Sequence, residues 1–430
     1  MCMMPGDVAV ERNDEAEGSF EVVLDEDGRV VIPAEIARRL GLVPGARLRA
    51  ELDRDQLLLR RPTSSLAKVY VEPTSRCNLT CRTCMRNAWE EPLGSMSAET
   101  FARIIDGITA FDPVPTVSFG GFGEPLSHPR IVDMVARAKA SGARVELITN
   151  GTLLRPKRSR ELIEAGLDRL WVSLDGASAQ SYLDVRLADV LPGILDNLAR
   201  FHEIAQRIQG PRTELGIAFV AMRRNIADLP ALLRLSSRVG ATRYMITNLL
   251  PYTREHGDET LYQLSLSQEP GRNSSLSPQI ELPWMDVNAR TRDPLNYIFQ
   301  NYANIRVADQ RLNRPANRCP FISRGATAVG WDGELSPCLA LIHSYTSYLY
   351  DRVRTIRRYT LGNIRSHSLR ELWESAEYVA FRQRVEEFDF SPCSMCGTCD
   401  LAEKNEEDCF GNTFPTCGGC LWAQGVIQCP

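Results

Sequence analysis

The 430 residues carry a formal net charge of −4, with 43% hydrophobic and 24% charged side chains, an ordinary balance without the basic surplus that a nucleic-acid partner calls for. No run of about 18 apolar residues occurs, so no transmembrane helix is expected, and the start Met1-Cys-Met-Met-Pro-Gly-Asp7 lacks the basic and apolar regions of an export signal, which predicts a cytoplasmic address. Thirteen cysteines in such a chain, seven of them from Cys393 to Cys429, point to metal rather than to disulfides.

Residues 1–18 are acidic and aperiodic and read as a disordered lead-in. Over 19–62, strand-like runs Phe20–Leu24 and Arg29–Ile32 flank the turn Asp25-Glu-Asp-Gly28. Pro33 then opens a helix, Ala34–Leu40, which Gly41 ends, and two further strand-like runs follow at Arg47–Leu52 and Gln56–Arg60. The text GRVVIP, then a helix, then GLVPGARL resembles the AbrB/MazE-type swapped-hairpin module, which implies dimerisation by interleaved strands and commonly DNA binding. Eight basic and eight acidic side chains between Ser19 and Pro62 leave this module neutral. Phosphate contacts need a basic surplus, so dimerisation or partner docking is favoured over DNA.

Pro62-Thr-Ser-Ser65 reads as a hinge. From 63 to 250 strands alternate with helices. The predicted strands are Ala67–Glu72, Thr116–Phe119, Arg144–Ile148, Arg169–Leu174, Glu214–Val220 and Arg243–Thr247; the helices are Ala98–Phe111, Arg130–Ser141, Ser159–Ala165, Pro192–Ile208 and Ala227–Val239. Six βα units with apolar strands predict an α/β fold with a parallel sheet, closed or partly closed into a barrel, whose site lies at the strand C-terminal ends. Residues 251–316, polar and Pro- and Ser-rich over Gln263–Pro278, break the rhythm and read as a linker or lid.

The first strand leads into Cys77-Asn-Leu-Thr-Cys-Arg-Thr-Cys84. Three thiolates in one short loop can bind three irons of a 4Fe–4S cube and leave the fourth open; three unrelated thiols or a zinc knuckle is the plainer reading, although zinc usually takes a second CxxC or histidines. Further along, Phe119-Gly-Gly-Phe-Gly-Glu-Pro125 follows the second strand, Thr149-Asn-Gly151 ends the third, and Ser173-Leu-Asp-Gly176 ends the fourth. Glycines let a backbone approach a ligand, and the polar side chains can reach its hydroxyl and carboxylate groups or merely make turns and caps.

CxxxCxxC followed by Gly-Glu-Pro resembles the radical S-adenosylmethionine (SAM) enzymes. That resemblance implies a partial (β/α)6 barrel, a cluster on Cys77, Cys81 and Cys84, and SAM on the open iron, cleaved to methionine and a 5′-deoxyadenosyl radical. It assigns the SAM amine to Gly121, Gly123 and Glu124, and the ribose and carboxylate to Asn150, Ser173 and Asp175. The residue before the third cysteine, usually aromatic in these enzymes, is Thr83 here. Asn248 is a candidate for the substrate side. Arg186 is expected to be solvated, His128 to cap a helix, and no histidine site is expected.

From Cys319, the text Trp331-Asp-Gly333-Glu-Leu-Ser-Pro-Cys338, then Leu361-Gly-Asn-Ile364 and Ser368–Trp373, resembles the SPASM domain, which carries auxiliary Fe–S clusters. Cys393, Cys396, Cys399, Cys409, Cys417, Cys420 and Cys429 depart from the usual spacing. With Cys319 and Cys338 they total nine, one more than two closed 4Fe–4S cubes need; one or two auxiliary clusters are expected over 317–430, with zinc the alternative. The ending Asp408–Pro430, with the N-terminal module, resembles the radical SAM maturases of tungsten-containing aldehyde ferredoxin oxidoreductases. The implied substrates are that enzyme, its pterin cofactor or a peptide, with a ferredoxin-like electron donor. A peptide-modifying maturase and a redox-sensing transcription regulator are the alternatives; the regulator would need neither the Gly-Glu-Pro loop nor six βα units.

Overall fold

The computed structural model describes residues 22–39, 42, 48–53, 56–60, 62–208, 212–263, 280–301, 305–307, 310–311, 317–396 and 399–429. The predicted lead-in, Leu40, Gly41, Arg47 and most of Gln263–Pro278 lie outside them. The chain divides into two compact units, 1–46 and 47–430.

In the first unit β1 (Val23–Leu24) pairs antiparallel with β2 (Val30–Val31), and the helix Ala34–Arg39 follows. The Asp25 carboxylate closes the turn by accepting the N–H groups of Asp27 and Arg29 at 3.1 and 2.8 Å. Val23, Val30 and Val31 stay exposed.

The second unit opens with a hairpin, β3 (Arg49–Asp53) on β4 (Gln56–Arg60). The sheet strands then arrive in chain order: β5 (Lys68–Val71), β6 (Thr116–Phe119), β7 (Val145–Thr149), β8 (Arg169–Ser173), β9 (Glu214–Ala221) and β10 (Arg243–Asn248). They lie side by side in that order, all parallel. Val69, Val117, Val145, Leu170 and Ile217 are buried among the covering helices, which is why these strands read as nearly continuous apolar runs. Ser97 starts one such helix, Ala98–Ile108, by accepting the N–H of Thr100 at 3.1 Å.

Between the barrel and the cysteine-rich end, β11 (Ile280–Leu282), β12 (Ile305–Val307) and β13 (Gln310–Arg311) form a separate small sheet. The main sheet does not end with the βα units. β14 (Ala326–Val329) pairs in parallel with β5, and β15 (Leu335–Ser336) pairs antiparallel with β14, giving eight strands. A hairpin of β16 (Tyr345–Leu349) and β17 (Arg352–Ile356) follows. The sequence reading did not place β14 in the barrel sheet, because its partner β5 lies some 250 positions upstream and pairing leaves no local signal.

Charges gather at the N-terminal ends of the strands. Lys68 donates to Glu146 at 2.7 Å, Arg169 to Glu146 at 2.9 Å and to Glu214 at 2.7 Å, and Arg243 to Glu214 at 3.3 Å. Burial works against the Glu146 charge, but Lys68, Arg169 and Arg144 hold its carboxyl below the usual range. The opposite, C-terminal edge is free of this layer and carries the loops of interest.

Candidate active site

At the C-terminal end of β5 the chain passes through Glu72 into the cysteine loop. Each of its three sulfurs receives an N–H. Cys77 Sγ accepts from Leu79 N at 3.5 Å and Asn150 Nδ2 at 3.8 Å, Cys81 Sγ from Arg186 Nη1 at 3.6 Å, and Cys84 Sγ from Arg86 Nε at 3.3 Å. Donors aimed at sulfur stabilise thiolate and lower the cost of the negative charge on a cluster. Among the described residues no three of His, Cys, Asp and Glu converge as one ion would need; a cube takes each thiolate on a different iron.

The glycine loop after β6 is moulded to the chain itself. A Cβ on Gly121, whose φ is +115°, would lie 2.7 Å from Glu72 Cγ, and one on Gly123 would lie 2.0 Å from the Thr74 carbonyl oxygen. These glycines let the loop lie against the start of the cysteine segment. Glu124 is buried, and three donors already occupy its carboxylate: Leu126 N at 2.9 Å, Thr149 Oγ1 at 2.7 Å and Asn150 N at 2.7 Å. Burial pushes the Glu124 carboxyl up against the pull of these donors. Of about four lone-pair positions on a carboxylate, one is left for a ligand; the rest clamp the β7 loop to the β6 loop.

Asn150 joins the two loops to the cysteines. Its Nδ2 reaches Asn78 Oδ1 at 3.0 Å as well as Cys77, and its Oδ1 accepts from Thr152 N at 3.0 Å. Ser173, half-buried, ends β8. Asp175 is buried and binds Val220 N at 2.9 Å and Arg186 Nη2 at 2.6 Å. Arg186 is therefore not the solvated side chain expected. It stands on a helix that sequence periodicity did not announce, Ala179–Arg186, opened by a capping box of Ser178 and Ser181. Burial opposes its charge, but Asp175 and Cys81 keep it firmly protonated.

An anionic cluster with SAM beside it fits these residues. Arg186 Nε and Tyr182 Oη, one helical turn apart, are buried near Cys81 with no hydrogen-bond partner among the described residues. Buried donors without a partner mark a position built for an acceptor the polypeptide does not supply. Asn248, the substrate-side candidate, donates its Nδ2 to Val426 O at 2.9 Å and ties β10 to the C-terminal tail. His128 takes the N–H of Arg130 at 3.3 Å at the entry to the helix Ile131–Ala140.

Sequence reasoning missed His343. It is buried, with Nε2 against Glu72 at 2.9 Å and Nδ1 against Glu91 at 2.6 Å, and its ring lies 4.1 Å from that of Trp89. The other Glu72 oxygen accepts Phe122 N at 3.1 Å, so the network ends on the glycine loop. Burial alone would lower the His343 pKa, but the two carboxylates hold it up to about 9.

Four of the C-terminal cysteines, Cys319, Cys338, Cys417 and Cys420, line one mainly apolar cavity with Tyr345 and Arg354. Burial pushes the Cys319 thiol up to about 12 and those of Cys338 and Cys417 well above the usual range; a metal bound here would displace those protons. Cys393 and Cys409 meet through Ser391, whose hydroxyl is 3.0 Å from Cys409 Sγ; Cys396 and Cys399 lie on the same stretch. Cys429 accepts Trp422 Nε1 at 3.1 Å, and Trp422 lines the same cavity.

The Radical SAM superfamily profile matches residues 71–220, an iron–sulfur cluster-binding domain (SPASM) matches 319–400, and the bacterial antitoxin MazE, described as antidote-toxin recognition, matches 22–67. The chain is 30% identical over 366 residues to the tungsten-containing aldehyde ferredoxin oxidoreductase cofactor-modifying protein of Pyrococcus furiosus, covering 84% of this chain and 96% of that one. It is 30% identical to an AdoMet-dependent heme synthase of Methanosarcina barkeri, covering 76% and 87%, and 25% identical to a PqqA peptide cyclase of Ruegeria pomeroyi, covering 77% and 79%. Among solved structures, Streptococcus suis SuiB bound to S-adenosylmethionine shares the fold, with a TM-score of 0.51 and 17% identity over 79% of this chain and 72% of that one.

Proposed function

The chain belongs to the radical SAM superfamily as an enzyme of the SPASM maturase type, with 4Fe–4S clusters and SAM as its cofactors, and we propose that it matures or modifies a tungsten-containing aldehyde ferredoxin oxidoreductase or its pterin cofactor. The observation carrying the target is the Pyrococcus relative, matched over 96% of its length. In this reading Cys77, Cys81 and Cys84 hold the cluster at the strand ends. When bound and reduced, that cluster supplies the electron that cleaves SAM to methionine and a 5′-deoxyadenosyl radical. Arg86, Arg186 and Asn150 donate to the sulfurs of these three cysteines. The Gly121 and Gly123 backbone and the remaining Glu124 lone pair would receive the SAM amine. Asn150 and Ser173 would reach its ribose, and Asp175 would act through Arg186, whose Nε would take the carboxylate.

Cys319, Cys338, Cys417 and Cys420 would hold one auxiliary cluster, and Cys393, Cys396, Cys399 and Cys409 a second, with Cys429 as the ninth cysteine outside both. The exposed valines of the N-terminal unit support its use as a dimer contact. A ferredoxin-like donor and a cytoplasmic setting complete the proposal; among the described residues no helix is long and apolar enough to cross a membrane.

The test is anaerobic reconstitution with dithionite and SAM, beside a Cys77/Cys81/Cys84→Ala triple variant. The 5′-deoxyadenosine should form with wild type only, and should rise when a tungsten aldehyde oxidoreductase lacking its finished cofactor is added. A rise with candidate peptides, and none with the oxidoreductase, would replace the tungsten target by a peptide.

A further inference from the structure

Four arginines stand on and just beyond β17, and three of them meet carboxylates at or near the surface. Arg352 pairs with Glu403 at 2.7 Å, Arg357 with Glu406 at 3.3 Å and Arg358 with Asp332 at 2.7 Å. Arg354 is different. It is 7% exposed, its Nε donates to Ala402 O at 2.9 Å and its Nη1 to Gly419 O at 2.7 Å. No carboxylate pairs with it among the described residues. A guanidinium stays charged in a protein, and a buried charge without a counter-charge is strongly disfavoured.

The surroundings say where the counter-charge belongs. Arg354 lines the cavity of Cys319, Cys338, Cys417 and Cys420. One of its carbonyl partners immediately precedes Cys420 and the other lies three residues after Cys399. A Cβ on Gly419 would fall 1.9 Å from Arg354 Nη2, so the backbone here is shaped around the fork. We infer that Arg354 is the built-in counter-charge of the auxiliary cluster in this cavity and makes that cluster easier to reduce. A cube on four thiolates carries net negative charge and gains one more on taking up an electron. A fixed cation beside it favours the reduced form, as net charge does for such clusters generally.

This rests on assigning the cavity to a cluster, and the experiment separates the two. In full-length protein carrying Cys77/Cys81/Cys84→Ala, so that only auxiliary signals remain, iron and sulfide content and dithionite-poised EPR titrations are compared for Arg354, Arg354→Lys, Arg354→Gln, Cys417→Ala and Cys420→Ala. Arg354→Gln should keep its iron and move one midpoint to lower potential by a tenfold change in the oxidised-to-reduced ratio or more, which is about 59 mV for one electron. Arg354→Lys should stay near the parent. If Arg354→Gln cannot hold the cluster but Arg354→Lys does, with the parent midpoint, the charge is again what matters. An unshifted midpoint in an iron-replete Arg354→Gln overturns the inference, as does equal loss of the cluster in the Lys and Gln variants. Unchanged iron and signals in Cys417→Ala and Cys420→Ala would instead remove the cluster from this cavity.

Discussion

At the scale of single residues, the site combines long-range contacts that no local pattern announces. The cysteine spacing and the Gly-Glu-Pro loop are visible in the sequence because each is compressed into a few positions. Arg186 is not, since its partners Asp175 and Cys81 lie 11 and 105 positions away and the surrounding text has weak periodicity. Replacing it by Gln should weaken SAM binding about tenfold or more, the loss of a charge-assisted contact, measured by equilibrium dialysis on protein with full iron content. Gly123→Ala tests the moulding of the loop. Its methyl group would meet the Thr74 carbonyl, so a loss of roughly 1–3 kcal/mol from overpacking and poorer cluster uptake are expected, read from denaturant unfolding and iron content.

His343 was missed for the same reason, because Glu72 and Glu91 are remote in sequence. Its folded pKa, held up to about 9, exceeds the unfolded value. It therefore stabilises the fold fully below about pH 6.5, and this contribution of roughly 3 kcal/mol is lost as pH rises through 9. Glu91, held below its usual range against burial by His343 and Ser344, adds stability at neutral pH that is lost as pH falls through its folded pKa. Unfolding free energies across pH should show both arms in the wild type, with the alkaline arm flattened in His343→Gln.

At the scale of elements, five of the six strands, β5 to β9, were legible because a parallel strand buried on both faces has to be a short apolar run between polar turns; β10, at the sheet edge, is half-exposed. Thr116–Phe119 and Gln56–Arg60 match the predicted bounds residue for residue. The helix Ala179–Arg186 was not foreseen, since its capping box and two buried residues, Tyr182 and Val185, are all that mark it. Glu146 anchors the charged layer at the strand N-termini with its side chain 6% exposed. Removing it as Glu146→Ala takes the carboxylate from Lys68, while Arg169 keeps Glu214, which should cost about 3 kcal/mol in urea unfolding without altering SAM cleavage by the protein that remains folded.

At the scale of the whole molecule, cysteine chemistry was readable and cysteine grouping was not. Nine thiols in order do not say which four face one cavity; folding decides that by bringing Cys319 and Cys338 to Cys417 and Cys420. The pairing of β14 with β5 has a further consequence for how this protein could have been assembled over evolutionary time. The cysteine-rich part supplies the strand that covers one flank of the barrel, so it is not a bead that recombination could drop or exchange cleanly. A chain ending at residue 250 would bare the length of β5 as an open edge, an invitation to intermolecular pairing. Such a truncation should precipitate or scatter light at concentrations where the full chain stays monodisperse. An ancestor lacking the auxiliary clusters would have needed another strand, or a partner, in that place.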